Sequence, residues 1–162
     1  MEAILVRRAN DYASRHRLQL AERLGFGIHG IVFVAENNQQ DGKSAIKAHR
    51  FREPYQRERA VYERLRDAGV SELLGFRVPQ FIRADDELLI VEMTIVERPF
   101  VLDFAGAYLD VPPEFPDEIW AEWEREKREQ FENRWPVVQR VLAALEELDI
   151  HMVDVSPSNI AF

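Results

Sequence analysis

The sequence predicts an α+β fold in which a mostly β front half precedes a mostly α rear half. Short segments with alternating or β-branched apolar residues fill most of the front half, and longer segments with helical apolar spacing fill most of the rear half. Strands followed by helices in separate runs are typical of α+β domains. The chain has 162 residues, of which 46% are hydrophobic, so it can bury a core. We therefore expect a front unit at residues 1–95 and a rear unit at residues 96–162.

The front half is expected to form an antiparallel five-stranded sheet with one helix packed on it, preceded by a short N-terminal helix. Asp41-Gly42 is a hairpin signal between two of the strands. The packed helix begins at Pro54, which suits a first helical turn, and Gly69 ends it. The expected elements are a helix at residues 2–17, strands at 18–27, 31–36 and 43–49, a helix at 54–68, and a hairpin at 78–93.

The rear half is expected to be mainly helical. Residues 96–111 show no periodic pattern, and three prolines then interrupt the chain. Asp117 can cap a charged helix over residues 118–135, and Pro136 opens a second helix with apolar residues at helical spacing. The last residues predict a loop followed by the start of a strand.

The composition excludes several classes of protein. There are no cysteines, so disulfides, thiol nucleophiles and thiolate metal sites are excluded. No apolar run approaches the roughly 18–20 residues of a membrane span, and the first residues do not form a secretory signal. The net charge of −8 argues against a general nucleic-acid binder. We expect a cytoplasmic protein that binds neither membranes nor nucleic acid.

The stretch GFGIHGIV, from Gly25 to Val32, matches the pattern G-x-G-x-x-G-x-V. It lies between two expected strands rather than between a strand and a helix, which disfavours a dinucleotide-binding fold. A glycine-rich turn in this position can lie over phosphate groups, because glycine lets the backbone approach closely. An ordinary glycine hairpin is the alternative.

A lysine on the third expected strand, Lys47, could neutralise phosphates beneath such a turn. Its ammonium needs a carboxylate to hold it, and Glu58 near the start of the following helix is the candidate. Glu53 and Glu63 are rival partners, and Lys47 could equally be one surface lysine among many.

The stretch DVSPSN, from Asp154 to Asn159, carries an acid and an amide five residues apart. The aspartate can accept a hydroxyl proton, and the asparagine can coordinate Mg²⁺ through its amide oxygen. The alternative is a loop in which Asp154 and Ser156 bond to nearby backbone N–H groups.

Each pattern is weak alone, but a glycine-rich turn, a strand lysine, a helix glutamate and Asp-x-x-x-x-Asn follow one another in the order found in protein kinases. Over residues 18–162 the chain resembles a protein-kinase-like phosphotransferase, with residues 96–135 unassigned. The resemblance implies ATP and Mg²⁺ as cofactors, a catalytic Asp154, and Asn159 as a Mg²⁺ ligand. It implies that Glu58 braces Lys47, and that the nucleotide contacts Gly25, Gly27, Gly30, Val32, Ala45, Lys47 and the hinge backbone from Glu92 to Thr94.

The chain also departs from the kinase pattern. The residues before Asp154 are not His-Arg, and Ser156 stands where protein kinases usually place a lysine facing the γ-phosphate. The Asp-Phe-Gly segment, which carries a metal-binding aspartate, is expected about a dozen residues after Asn159, beyond the last residue, Phe162. We therefore expect a truncated helical C-lobe that ends after the catalytic loop, and weak or absent catalysis.

Two functions follow from these patterns. The first is transfer of the γ-phosphoryl group of Mg-ATP to a hydroxyl of a protein or a small molecule. The second is a pseudokinase-like interaction module without catalysis, which docks a partner through residues 112–135. A protein partner or a second copy could also cover the truncated lobe. The remaining alternative is an α+β domain in which the kinase-like order and spacing of these residues is a coincidence.

Overall fold

The computed structural model describes residues 1–39 and 42–162. Within these residues the chain forms four α-helices and eleven strands, several of them only two residues long. The helices are α1 (Glu2–Arg15), α2 (Arg52–Asp67), α3 (Asp117–Phe131) and α4 (Trp135–Glu146). The strands are β1 (Leu18–Phe26), β2 (Gly30–Asn37), β3 (Gly42–His49), β4 (Glu72–Leu73), β5 (Phe76–Arg77), β6 (Phe81–Asp85), β7 (Ile90–Thr94), β8 (Phe100–Val101), β9 (Tyr108–Leu109), β10 (Ile150–His151) and β11 (Ile160–Ala161).

The front of the molecule is a five-stranded sheet in the order β1-β2-β3-β7-β6. Every neighbouring pair in it is antiparallel. This confirms the predicted α+β class and the five-stranded antiparallel sheet. β2 and β3 pair along their length, as the predicted hairpin requires, but Asp41 of the predicted turn lies outside the described residues.

The central strand β3 is covered on both faces, and its last six residues are buried. Successive side chains of a strand point to opposite faces. Ile46 and Ala48 pack with α1, whereas Ala45 packs in the cluster that includes α2. Lys47 lies on the same face as Ala45, so its side chain points toward α2.

Helix α1 is fixed to the sheet by a buried polar contact as well as by its apolar side. The hydroxyl of Tyr12 donates to Oε2 of Glu92 at 2.7 Å. The same carboxylate accepts from Ser44 Oγ at 2.7 Å and from Arg83 Nε at 2.6 Å. Because Glu92 is almost fully buried, these donors replace the water that its charge would otherwise require.

The rear of the molecule combines α3 and α4, joined by a 3₁₀ turn at Glu132–Arg134, with short ladders. β10 pairs antiparallel with β9, and β11 pairs antiparallel with β8. β8 also pairs parallel with β5, which pairs with β4. One cluster of buried apolar side chains runs from α2 and β7 to α4 and β11 and so joins the front and rear halves.

Some elements differ from those expected. Residues 96–111, where no element was predicted, contain β8 and β9, which are too short to show a period. The helix expected over 118–135 ends at Phe131, and α4 already begins at Trp135. Asp117 is the first residue of α3 and makes no capping hydrogen bond. In the part of the chain that the structure describes, no helix has the length and apolar character to cross a membrane.

Candidate functional site

The candidate site is centred on Lys47, whose ammonium is buried between two carboxylates. Nζ lies 3.0 and 2.7 Å from the two oxygens of Glu58 on α2. It also lies 2.8 Å from Oδ1 of Asp103. Burial alone would lower the pKa of Lys47, but the two carboxylates outweigh it and hold this pKa above its usual value. The lysine is therefore charged at neutral pH.

Glu58 is the residue that the sequence offered as the partner of Lys47, and the structure brings the two into contact. Its rivals bond elsewhere on α2: Glu53 pairs with Arg57, and Glu63 pairs with Arg59. Glu58 also binds the buried His49, whose Nε2 lies 2.5 Å from Oε2. Burial would raise the pKa of Glu58, but Lys47 and His49 outweigh it and lower this pKa to about 2.

Asp103, the third member of the cluster, was missed by the sequence analysis. It lies in the turn between β8 and β9 and has a left-handed backbone with φ of 68°. Aspartate tolerates this conformation better than most residues, and strained residues of this kind cluster at functional sites. The next residue, Phe104, is fully buried and packs edge-on against Tyr62 of α2, with ring centroids 5.4 Å apart. This packing fixes the turn beside Lys47.

One sequence signal could have identified Asp103. The residues Asp103-Phe104-Ala105-Gly106 form the pattern D-F-x-G, which is close to the metal-binding Asp-Phe-Gly of kinases. In kinases this segment follows the catalytic loop, whereas here Asp103 lies 51 residues before Asp154. The structure places a carboxylate beside Lys47 in spite of this order.

Two ladders bring the Asp103 turn and the Asp154 loop together. The turn, residues 102–107, connects β8 to β9, and the loop, residues 152–159, connects β10 to β11. Since β9 pairs with β10 and β8 pairs with β11, each end of the turn is joined to one end of the loop. At Gly106 an added Cβ would lie 3.4 Å from Cβ of Asp154, which is an ordinary van der Waals distance. The turn and the loop therefore lie side by side at this point.

The Asp154 loop is held in shape by Asn159. Its Oδ1 accepts the backbone N–H of Ser156 at 2.7 Å, and its Nδ2 donates to the carbonyl of Asp154 at 2.7 Å. Asn159 is buried, whereas the side chain of Asp154 is 60% exposed. The alternative of a loop closed by local hydrogen bonds therefore describes the geometry, but Asn159 rather than Asp154 provides the bonds.

The glycine-rich turn, residues 25–30 and here called the glycine flap, joins β1 to β2. Gly27 N–H donates to the carbonyl of Gly30 at 2.9 Å and closes the turn. Gly25 and Gly27 have open space where a Cβ would be, whereas a Cβ on Gly30 would lie 2.1 Å from the carbonyl oxygen of Ala48. From this flap, His29 reaches the loop: its Nε2 lies 4.0 Å from Oδ2 of Asp154.

The residues expected to contact the adenine do not all face the Lys47 side of the sheet. Val32 and Ala45 lie on the Lys47 face of the sheet, and Val32 is directly opposite Lys47. The Glu92 carboxylate, by contrast, points away from this face toward α1. The N–H of Thr94 donates to the carbonyl of Gln80 at 2.9 Å, so it is already occupied. The N–H of Thr94 is therefore not free to bind an adenine.

The side chains at this site suit Mg²⁺ only in part. Among the described residues, no three or more His, Cys, Asp or Glu side chains are grouped to hold a metal ion. Mg²⁺, however, is commonly bound by one or two protein oxygens, with water and nucleotide phosphates as the other ligands. The Asp103 carboxylate and the Asn159 amide oxygen are donors of the right kind, although this amide oxygen already accepts from the N–H of Ser156 at 2.7 Å and from its hydroxyl at 3.5 Å.

Residues 112–135, suggested by the sequence as a partner surface, pack their tryptophans against the rear half. Trp123 Nε1 donates to the carbonyl of Val153 at 2.9 Å. Trp120, Trp123 and Trp135 line a groove of about 520 Å³ between α3, α4 and β10. Trp123 therefore anchors α3 to the rear half.

No family model, curated protein or solved structure matches the chain. A function for this protein must therefore be argued from its residues and their geometry.

Proposed function

We propose that the protein is a phosphotransferase with a protein-kinase-like arrangement, which binds Mg-ATP and transfers the γ-phosphoryl group to a hydroxyl. One observation carries the proposal: Lys47 joins Glu58 of α2 to Asp103, and the Asp103 turn lies against the Asp154 loop. A buried ammonium, a metal-binding acid and an exposed proton acceptor are the groups that phosphoryl transfer requires in one place.

In this proposal Lys47 binds the phosphates and Glu58 holds it in position. The ammonium is charged, buried, and fixed by hydrogen bonds on the face of the sheet below the glycine flap. Since Glu58 is itself fixed by His49, Lys47 has one preferred position. A cation that is already oriented loses little entropy when an anion binds.

Asp103 supplies the metal carboxylate, and Asn159 supplies an amide oxygen. Bound Mg²⁺ would neutralise the developing charge on the phosphate oxygens. With Asp103 as the metal carboxylate, the arrangement has the second acid that phosphoryl transfer needs, at a position earlier in the chain than Asp154.

Asp154 orients the acceptor hydroxyl and receives its proton, since its carboxylate is exposed beside the Asp103 turn. The glycine flap covers the phosphates from above. Val32 and Ala45 contact the adenine, and the hinge donor is the backbone after Thr94. The acceptor is a hydroxyl on a protein or a small molecule.

The proposal is tested by calorimetric titration of ATP with and without Mg²⁺. The loss of a charged hydrogen bond predicts that Lys47→Met weakens ATP binding at least about tenfold. Asp103→Asn is expected to bind Mg-free ATP at least as tightly as the wild type, because a competing carboxylate is removed, and to lose the gain in affinity that Mg²⁺ gives to the wild type. Lys43→Met is the matched control, because Lys43 is an exposed lysine on the same strand and pairs with Glu36.

Two results would contradict the proposal: no nucleotide binding by a folded wild type, or equal effects of the Lys43 and Lys47 substitutions. Phosphoryl transfer is measured separately, with Asp154→Asn as the inactive variant. Nucleotide binding without transfer to any hydroxyl compound would favour the non-catalytic module instead.

A further inference from the structure

The proposed reaction needs a hydrogen-bond donor at the terminal phosphoryl group, in addition to Lys47 and Mg²⁺. In phosphoryl transfer, charge spreads over the three equatorial oxygens of the moving group, and a donor or cation placed there accelerates the reaction. Lys47 is already bonded to Glu58 and Asp103. Two residues beyond Asp154 the chain has Ser156, whose hydroxyl lies 2.7 Å from that of Ser158 and is engaged with it. A basic side chain at this point has to come from another element.

His29 is placed to provide it. Its Nε2 lies 4.0 Å from Oδ2 of Asp154, and its side chain is one quarter exposed. Among the residues that the structure describes, it is the sole basic side chain within 4.0 Å of the Asp154 carboxylate. It also lies 3.9 Å from the position of a Cβ on Gly106. The side chain of His29 therefore extends from the glycine flap toward both the Asp103 turn and the Asp154 loop.

The backbone explains why His29 keeps this position. The N–H of Arg50, at the end of β3, donates to the carbonyl of His29 at 2.8 Å. The neighbouring Ile28 is 79% exposed. The flap therefore presents one side chain to the site and its neighbour to solvent, and the anchored residue is the one with a ring N–H.

We propose that His29 Nε2–H donates to the terminal phosphoryl group of the bound nucleoside triphosphate. This inference rests on the proposed function. In the step itself, the bond from the γ-phosphorus to the bridging oxygen breaks and a bond to the acceptor oxygen forms. The acceptor proton passes to Asp154, and the bridging oxygen leaves with its electron pair on the nucleoside diphosphate. His29 keeps its proton and stabilises the charge of the transferring group.

The test compares the affinities of ADP and a non-hydrolysable ATP analogue, both with Mg²⁺. His29→Ala is expected to lower the affinity for the analogue about tenfold and to leave the affinity for ADP unchanged, because only the analogue has the terminal phosphoryl group. Ile28→Ala, on the same flap, is expected to change neither. Ser156→Lys in the His29→Ala background is expected to restore the lost affinity, since it places an ammonium two residues after Asp154.

The outcomes separate this inference from the proposed function. If the wild type binds neither nucleotide, both fail. If it binds both and His29→Ala lowers the two affinities equally, His29 only supports the flap, and this inference alone is overturned. If His29→Ala changes neither affinity, this inference is overturned as well. Selective loss for the analogue with rescue by Ser156→Lys supports it.

Discussion

Replacement of Glu58 by glutamine is expected to destabilise the fold at neutral pH and to have much less effect in acid. Glutamine has the shape of a protonated glutamate, so Glu58→Gln removes the charge and little else. The charge lies between Lys47 and His49 in the interior. Asp103 remains as a partner for Lys47, which keeps the cost at the lower end of the about 3–5 kcal/mol typical of a broken buried pair.

The pKa of Glu58 gives the same magnitude independently. Folding lowers this pKa from 4.5 to about 2, which corresponds to about 3 kcal/mol at about 1.4 kcal/mol per pH unit. Because the folded pKa is the lower one, the stabilisation is complete above about pH 4.5 and is lost as the pH falls toward 2. By pH 3, about 60% of it should be lost.

Urea denaturation of the wild type and of Glu58→Gln at pH 7, 5, 4 and 3 measures this difference. We expect the variant to have a free energy of unfolding about 3 kcal/mol lower than the wild type at pH 7, which corresponds to about 6–12 °C in Tm for a domain of this size. At pH 3 we expect this difference to be about 1 kcal/mol. Glu63→Gln is the control on the same helix. This variant loses an ion pair with Arg59 in which both side chains are about one third exposed. Its free energy of unfolding should fall by less than about 1 kcal/mol. Equal costs for the two variants, or a difference that does not change with pH, would refute the reasoning.

Two further substitutions test the flap and the loop. Gly30→Ala should lower the free energy of unfolding by about 2–3 kcal/mol, because its methyl group would overlap the backbone of Ala48; Gly25→Ala, which has open space, should leave the urea midpoint almost unchanged, and similar midpoints would contradict this. Asn159→Ala should cost about 2 kcal/mol through two lost hydrogen bonds and should accelerate hydrogen exchange at the Ser156 amide, and an unchanged exchange rate would show that Asn159 does not hold the loop.

The sheet could be predicted from the sequence because its information is local. β2 and β3 are eight residues each, and only four residues separate them along the chain. The contact of Lys47 with Glu58 could be predicted for the same reason, since only eleven residues separate them. Here local periodicity and short connections are sufficient.

Asp103 could not be found in this way. Its flanking strands are two residues long, and they pair with strands about 40 to 60 residues later in the chain. Strands this short show no periodicity. The left-handed position between them is occupied by Asp103 rather than by a glycine, so the sequence does not signal a turn there. The occupied amide of Thr94 was also hidden, because its partner Gln80 lies in another strand connection. Both depend on pairing that only the folded chain defines.

The contact between Lys47 and Asp103 makes the aspartate an internal counter-ion of the lysine. In the proposed function, the polyphosphate replaces Asp103 at the ammonium, and the released carboxylate is then free to bind a divalent cation. Nucleotide and cation uptake at such a site are thermodynamically linked, and each raises the affinity for the other by the same factor. The empty site sets one lysine against the carboxylates of Glu58, Asp103 and Asp154, so its formal charge is negative and anions that arrive without a cation are held only weakly.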